Sequence, residues 1–425
     1  MKSMLKNYNF IDEFYELEKE NHWDYLGKKD KPIDKIATYP AKMVSDMQGE
    51  IISEIMKEVH IKSIFDPFMG SGTILTEALF LGIEEILGND INPLSYLIVK
   101  VKTFPLDDSI LIENYKNLVK KIKEEKLLKN RYFPKITKWF SIEVIHQLSK
   151  IINEIEKIEN NDIKDFFKLG FANLVKEVSN TRSSTFKLHI KSEIVIFKNC
   201  LEKFKKIIEK QIKSCTLFWK NIKKSKVILF NKDIRELEYK KKVDLIITSP
   251  PYGDNKTTVT YGEFSVLQLK WLGEEKYTET FSKIDTVSLG GNLQQCKDIT
   301  TIESYNLSKE LKIIVNKILK QTDYNKAKKV VVFIQDFYIT LKKLYVILKK
   351  NGLLILTVGN RKVNNNEIKF NKIINELANK IGLNKIQEFS RNIPTSKKIA
   401  VKTSRLANGK SVNSINKEYI LIFKK

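Results

Sequence analysis

Short apolar runs with strand character recur along this chain, with helix-spaced stretches between them, and that alternation restricts the fold to an open α/β sheet. Seven such runs stand out, at 61–66, 85–89, 227–231, 243–248, 353–358, 385–392 and 418–423. A helix is predicted over 73–81, where an apolar stretch stops at Gly82, a residue suited to the left-handed position that closes a helix. A second is predicted over 371–380, ahead of Gly382.

Two stretches break the alternation. Residues 107–225 separate the second and third strands, far more than a βα connection needs. Apolar residues at three- and four-residue spacing predict helices there over 111–128, 142–158, 163–178 and 193–222. This insertion holds 26 basic against 15 acidic residues, and so much of the net charge of +24 carried by the 425-residue chain. A second, more irregular insertion is expected over 255–330. The expected organisation is therefore a core of residues 1–106 and 226–425, a helical, basic insertion at 107–225 that is a candidate for reading nucleic acid, and the smaller insertion within the core.

The charge needs discounting, because only six of the 75 basic residues are Arg and the excess partly reflects a Lys-biased composition. Discounted, it still favours a polyanionic partner. Cys200, Cys215 and Cys296 form no CxxC pair and no ligand spacing with the four His, so neither a disulfide framework nor a metal site is expected. The first twenty residues are charged throughout and no apolar run approaches a membrane span. The expectation is a soluble, cytoplasmic protein with no membrane partner.

The first strand runs into Asp66-Pro67-Phe68-Met69-Gly70-Ser71-Gly72-Thr73. Glycines let a backbone approach a ligand closely, and the helix that follows offers free N–H groups. The turn is no phosphate-binding P-loop, since no Lys-Ser or Lys-Thr follows the glycines. The second strand runs into Asp90-Ile91-Asn92-Pro93, which places a carboxylate where two ribose hydroxyls would donate to it. The third leads to Asp233, a candidate acceptor for an adenine amino group.

After the fourth strand comes Thr248-Ser249-Pro250-Pro251-Tyr252-Gly253-Asp254. Two prolines remove two N–H donors and fix the backbone, so that its carbonyls point in defined directions. The Ser249 oxygen and the Pro250 carbonyl offer acceptors for the protons of a base amino group, and Tyr252 offers a flat face for an extruded base.

The segments DPFMGSGT, ND-INP and TSPPYGD resemble the cofactor and catalytic motifs of the amino-methylating DNA methyltransferases of restriction–modification systems. Thr38 to Met43 is similar to a further cofactor-side motif of that family. The resemblance covers residues 36–106 and 226–425, with the cofactor loop ahead of the catalytic loop. It implies a Rossmann-like, seven-stranded mixed sheet with helices on both faces and S-adenosylmethionine as cofactor. It implies cofactor binding around Tyr39, Lys42, Asp66, Phe68, Gly70, Gly72, Thr73, Asp90 and Ile91, with Asp233 beside them. Base handling falls to Ser249, Pro250, Pro251 and Tyr252. In this family the Ser-Pro-Pro-Tyr version is associated mostly with cytosine N4, and Asp or Asn before the prolines with adenine N6. The expected activity is site-specific methylation of a flipped-out base in double-stranded DNA, at cytosine N4, beside a cognate restriction endonuclease.

Adenine N6 is the alternative within the class. Methylation of structured RNA ranks lower, for no RNA-binding module stands ahead of the core, and intact Ser249, Tyr252 and Gly70 argue against a non-catalytic specificity subunit. Cytosine C5 chemistry uses a Cys nucleophile after a Pro, and none of the nine prolines precedes a Cys. A separate recognition domain is not recognised after the last strand, a departure from the family's pattern, so recognition is expected to fall to the insertions. DNA contacts are expected from Arg182, Ser183 and Lys187, in a polar stretch between helices, and from Lys256 and Tyr261 in the segment 255–262, which follows the catalytic loop and is a candidate lining of the pocket. Arg361, Arg391 and Arg405 read as structural.

Overall fold

A computed structural model describes residues 8–126, 129–182, 186–192, 199–280, 282–321, 323–394, 402–405, 411–413 and 415–425. Its centre is a seven-stranded sheet built from β1 (Ser63–Asp66), β2 (Glu85–Asn89), β3 (Lys226–Phe230), β4 (Val243–Thr248), β5 (Leu348–Gly359), β6 (Asn384–Asn392) and β7 (Lys417–Lys424). The order is β3-β2-β1-β4-β5-β7-β6. The first five neighbours pair in parallel, and β7 runs antiparallel to both β5 and β6. All seven expected strands are present, and the mixed sheet is the one anticipated.

Period-two alternation divides the strand residues between two cores. Ile64, Ile86, Leu245, Ile247, Ile355 and Ile422 face α1 (Asn9–Lys19), α2 (Ser45–Glu58) and α3 (Thr73–Leu81). Phe65, Leu87, Ile246, Leu354, Leu356 and Leu421 face the opposite layer. The helix α3 is the one expected after β1, and Gly82 closes it at φ 83°. Seven consecutive residues of α3, Thr73 to Leu79, are buried, which is why its sequence lacks a polar face.

After β2, α4 (Pro93–Thr103) leads into α5 (Asp108–Glu124), α6 (Ile142–Glu156), α7 (Asn161–Val178) and α8 (Cys200–Trp219). The last four each start at a side chain that accepts from first-turn amides, namely Asp107, Ser141, Asn160 and Asn199. Their apolar stripes close a core of their own that includes Leu118, Leu148, Phe166 and Phe204. The expected start of the last helix at 193 falls outside the described residues up to 198.

The stretch 255–330, expected as one insertion, divides between two cores. Its first helix, α9 (Tyr261–Leu272), packs on α7, with Trp271 buried among Phe133, Phe140 and Phe171. Its far end, α10 (Lys309–Leu319), joins the layer of α11 (Tyr324–Ile347) and α12 (Phe370–Lys380) beneath the sheet. The expected boundary at 330 thus falls inside α11. Among the described residues no helix is long and apolar enough to cross a membrane.

Candidate functional site

Parallel strands β3, β2, β1 and β4 lie side by side, so the loops at their carboxyl ends gather along one edge. A cleft opens there, with about 810 Å³ of empty space including its open mouth. Tyr39, Lys42, Phe68, Gly70, Asp90 and Ile91 line it together with Asp233, Ser249, Pro251, Asn255 and Tyr261. The glycine turn and the Ser-Pro-Pro loop therefore share one cleft. Asp66, Gly72, Thr73, Pro250 and Tyr252 belong to the same two loops but are not among the residues that line the cleft.

The turn is held from every side. Gly70, at φ 47°, donates its N–H to Asp90 Oδ2 at 3.0 Å, and its carbonyl accepts from Ser95 Oγ at 2.6 Å. Gly72 sits at φ 81°, and a Cβ there would come within 2.9 Å of Val99. Lys102, fully buried, donates from Nζ to the Ser71 carbonyl at 2.9 Å and lies 3.6 Å from Asp34 Oδ1. Burial lowers its ammonium pKa to about 8. Asn89 spans the strand ends, donating to Pro67 O at 3.3 Å and Lys232 O at 3.1 Å. Thr248 ties the two loops together, donating to Asp66 Oδ1 at 2.6 Å.

Burial disfavours the charged form of two carboxyls at the site, Asp66 and Asp90. Burial pushes the Asp66 carboxyl up to about 7 despite the donors Thr248 and Phe68, and its Oδ2 has no hydrogen-bond partner among the described residues. Burial also raises Asp90, against the opposing pull of the Asn92 and Gly70 amides. On the cleft wall the buried Asn255 Oδ1 likewise lacks a partner. Acceptors left open beside apolar Phe68, Ile91, Ile234 and Leu289 suit a cationic ligand with an aromatic part.

Several expected residues stand differently from their sequence roles. Asp233 lines the cleft, but Arg235 holds its carboxylate with Nε at 3.0 Å and Nη2 at 2.5 Å, so its acceptor capacity is largely spent. Lys42 donates to the Asp34 carbonyl at 2.8 Å. Tyr252 is not a free stacking face. Its ring packs against Gly359 and its hydroxyl donates to Glu418 Oε1 at 2.8 Å, with Ser249 Oγ 3.1 Å away. Tyr261 lines the cleft, as expected of its segment, and is stacked on Tyr39 at 5.7 Å between centroids.

Arg182 and Lys187 are exposed on a small hairpin, where Thr181 pairs with Ile190 and Arg182 N donates to His189 O at 2.9 Å. Ser183 lies outside the described residues. The hairpin docks on the first turn of α9 through Phe186 on Phe264 (5.7 Å) and Leu188 N on Glu263 Oε2 (3.1 Å), one step from Tyr39 and Tyr261. Lys256 is exposed beside Asn255. Arg361 and Arg391 are buried in ion pairs with Asp254 (3.2 Å) and Glu418 (2.7 Å). The three cysteines are buried away from the cleft, and burial raises Cys200 to about 11 and Cys215 to about 12.

Asn255 opens the segment 255–262 expected along the pocket, whereas sequence reasoning missed Lys232 and Glu418. Neither sits in a run that marks it out, since each reaches its place through tertiary contact.

A family model described as D12 class N6 adenine-specific DNA methyltransferase matches residues 46–322. The protein named Type II methyltransferase M.MvaI, from Kocuria varians, is 32% identical over 409 residues, which cover 91% of this chain and 89% of that protein. Among solved structures, an rRNA methyltransferase, aviRa from Streptomyces viridochromogenes, aligns over 93% of this chain and 94% of its own at 10% identity and a TM-score of 0.30. So distant a superposition carries no weight.

Proposed function

The chain belongs to the amino-methylating DNA methyltransferases of restriction–modification systems, and from that premise we propose that it methylates an exocyclic amino nitrogen in a specific duplex DNA sequence. The observation that carries this reading is the single cleft shared by the Gly70 turn and Ser249, with Thr248 and Asp66 joining their loops at 2.6 Å.

S-adenosylmethionine, the cofactor, supplies a methyl group already activated by a positive sulfur. This chain's residues need only bind and orient. The Gly70 turn, Asp90, Ile91 and Phe68 would hold the cofactor, with the Asp90 carboxylate supplying negative charge that a sulfonium and an ammonium favour. Ser249 and the carbonyl of Pro250 would accept the protons of the amino group, leaving its lone pair aimed at the methyl carbon. Proximity carries the rate, with no covalent intermediate on the enzyme. The helical insertion would read the duplex, its Arg182–Lys187 hairpin reaching phosphates beside the cleft. A restriction endonuclease acting on the same sequence is the expected partner in the host.

Adenine N6 has the support of the family model, whose description names it, and so has more support than the cytosine N4 expectation. Cytosine N4 has one specific observation in its favour, the neutral Ser249 ahead of the prolines. Incubation with labelled S-adenosylmethionine and duplex DNA, then digestion to nucleosides, separates the two by product. Label on neither amino nitrogen, or label only in an RNA substrate, would overturn the reading.

A further inference from the structure

Behind Ser249 runs a chain of hydrogen bonds whose direction is fixed at its far end. Arg391 Nε, on β6, donates to Glu418 Oε2 at 2.7 Å, and Glu418, on β7, accepts from Tyr252 Oη at 2.8 Å. The next step is the 3.1 Å contact between Tyr252 Oη and Ser249 Oγ. Arg391 is itself held in the interior, with Nη1 3.5 Å from the Trp23 carbonyl.

A hydroxyl has one proton to give, and a carboxylate paired with a guanidinium has none. The Tyr252 proton is therefore committed to Glu418. In the remaining contact Ser249 must be the donor and Tyr252 the acceptor. The only part of Ser249 left to face the cleft is a lone pair.

That polarity suits amino methylation. An amino nitrogen that attacks carbon must keep its lone pair free and have its own protons accepted. A serine turning freely would also offer its proton to that lone pair, which opposes the reaction. We propose that Glu418 is a positioning residue which, through Tyr252, holds Ser249 as an acceptor toward the base amino group. The inference rests on the functional reading above.

Glu418→Gln reverses the chain. Arg391 donates to whichever side-chain atom faces it, so the amide oxygen turns to Arg391 and the amide NH2 to Tyr252. Tyr252 then donates to Ser249, and Ser249 donates into the cleft. The expected loss is about 10²-fold in kcat, as for a misdirected catalytic hydrogen bond, with the KM for the methyl donor and DNA affinity within about twofold of wild type. Tyr252→Phe cuts the chain without reversing it and costs only about tenfold.

The double variant E418Q/Y252F should match Y252F alone, so that a second substitution raises activity above that of E418Q. A purely structural role for Glu418 would instead make the losses multiply. Should E418Q unfold in a circular-dichroism check, Glu418→Asp replaces it, and it must add nothing to Y252F. Multiplying losses, or E418Q within about threefold of wild type, would overturn the inference while leaving the methyltransferase reading intact. A wild-type protein that methylates no DNA amino group would overturn both.

Discussion

Gly253, the residue after Tyr252, lies against the buried guanidinium of Arg361, and Gly253→Ala tests how the catalytic loop is anchored. A Cβ there would stand 2.4 Å from Cζ of Arg361 and 2.5 Å from its Nε and Nη1, about 1 Å inside the onset of ordinary contact. The guanidinium cannot swing into water, for Arg361 is 7% exposed. A retreat of that size ends its bonds to Asp254 Oδ2 (3.2 Å) and Thr257 Oγ1 (2.7 Å). Breaking a buried pair outright costs about 3–5 kcal/mol. Here Thr257 N still donates to Asp254 at 3.1 Å, so we expect a cost somewhat below that range, about 2–3 kcal/mol. Urea unfolding of G253A, Arg361→Ala and the double variant measures it. Once the guanidinium is gone the new methyl has room, so G253A in the Arg361→Ala background should cost under about 0.5 kcal/mol. Equal costs of G253A in both backgrounds would refute the packing account.

Asp90→Asn leaves one carbonyl oxygen for two amides, those of Gly70 (3.0 Å) and Asn92 (2.9 Å), so titration calorimetry should find the methyl donor bound roughly 10- to 100-fold more weakly; unchanged affinity would remove Asp90 from the site. The Asp66 carboxyl, raised to about 7 by burial, holds a proton in the folded state that the unfolded chain releases near pH 4. Wild-type stability should then fall as pH rises from about 4 to 7, by up to about 1.4 kcal/mol per unit, relative to Asp66→Asn. Parallel melting curves across that range would contradict it. Arg182→Ala should weaken binding to specific and unrelated duplexes alike and reduce the salt slope by about one, read by fluorescence anisotropy; an unaltered slope would take the hairpin off the DNA.

The strands were legible because each is a compact apolar run, and the site because its key residues sit where those runs end, in segments whose composition has few other uses. The order of strands was not. Nothing in residues 417–424 says that they pair between β5 and β6, since that choice depends on where the covering helices leave room. The 24-residue helix α11 was overlooked because Val330, Val331, Val332, Phe333 and Ile334 are consecutive and apolar, which erases a 3.6-residue period in a helix buried nearly all round. Tyr252 was read as a stacking surface because its partner Glu418 is 166 residues away in sequence.

The placing of β7 inside the sheet bears on how activity arises during synthesis. A ribosome releases β7 after the other six strands, yet β5 and β6 meet only through it. A nascent chain can complete both ligand-facing loops and still have a sheet split in two, with Tyr252 lacking its anchor. Methylating capacity would then rise in a late step, and a chain interrupted short of that strand would leave Tyr252 without its anchor.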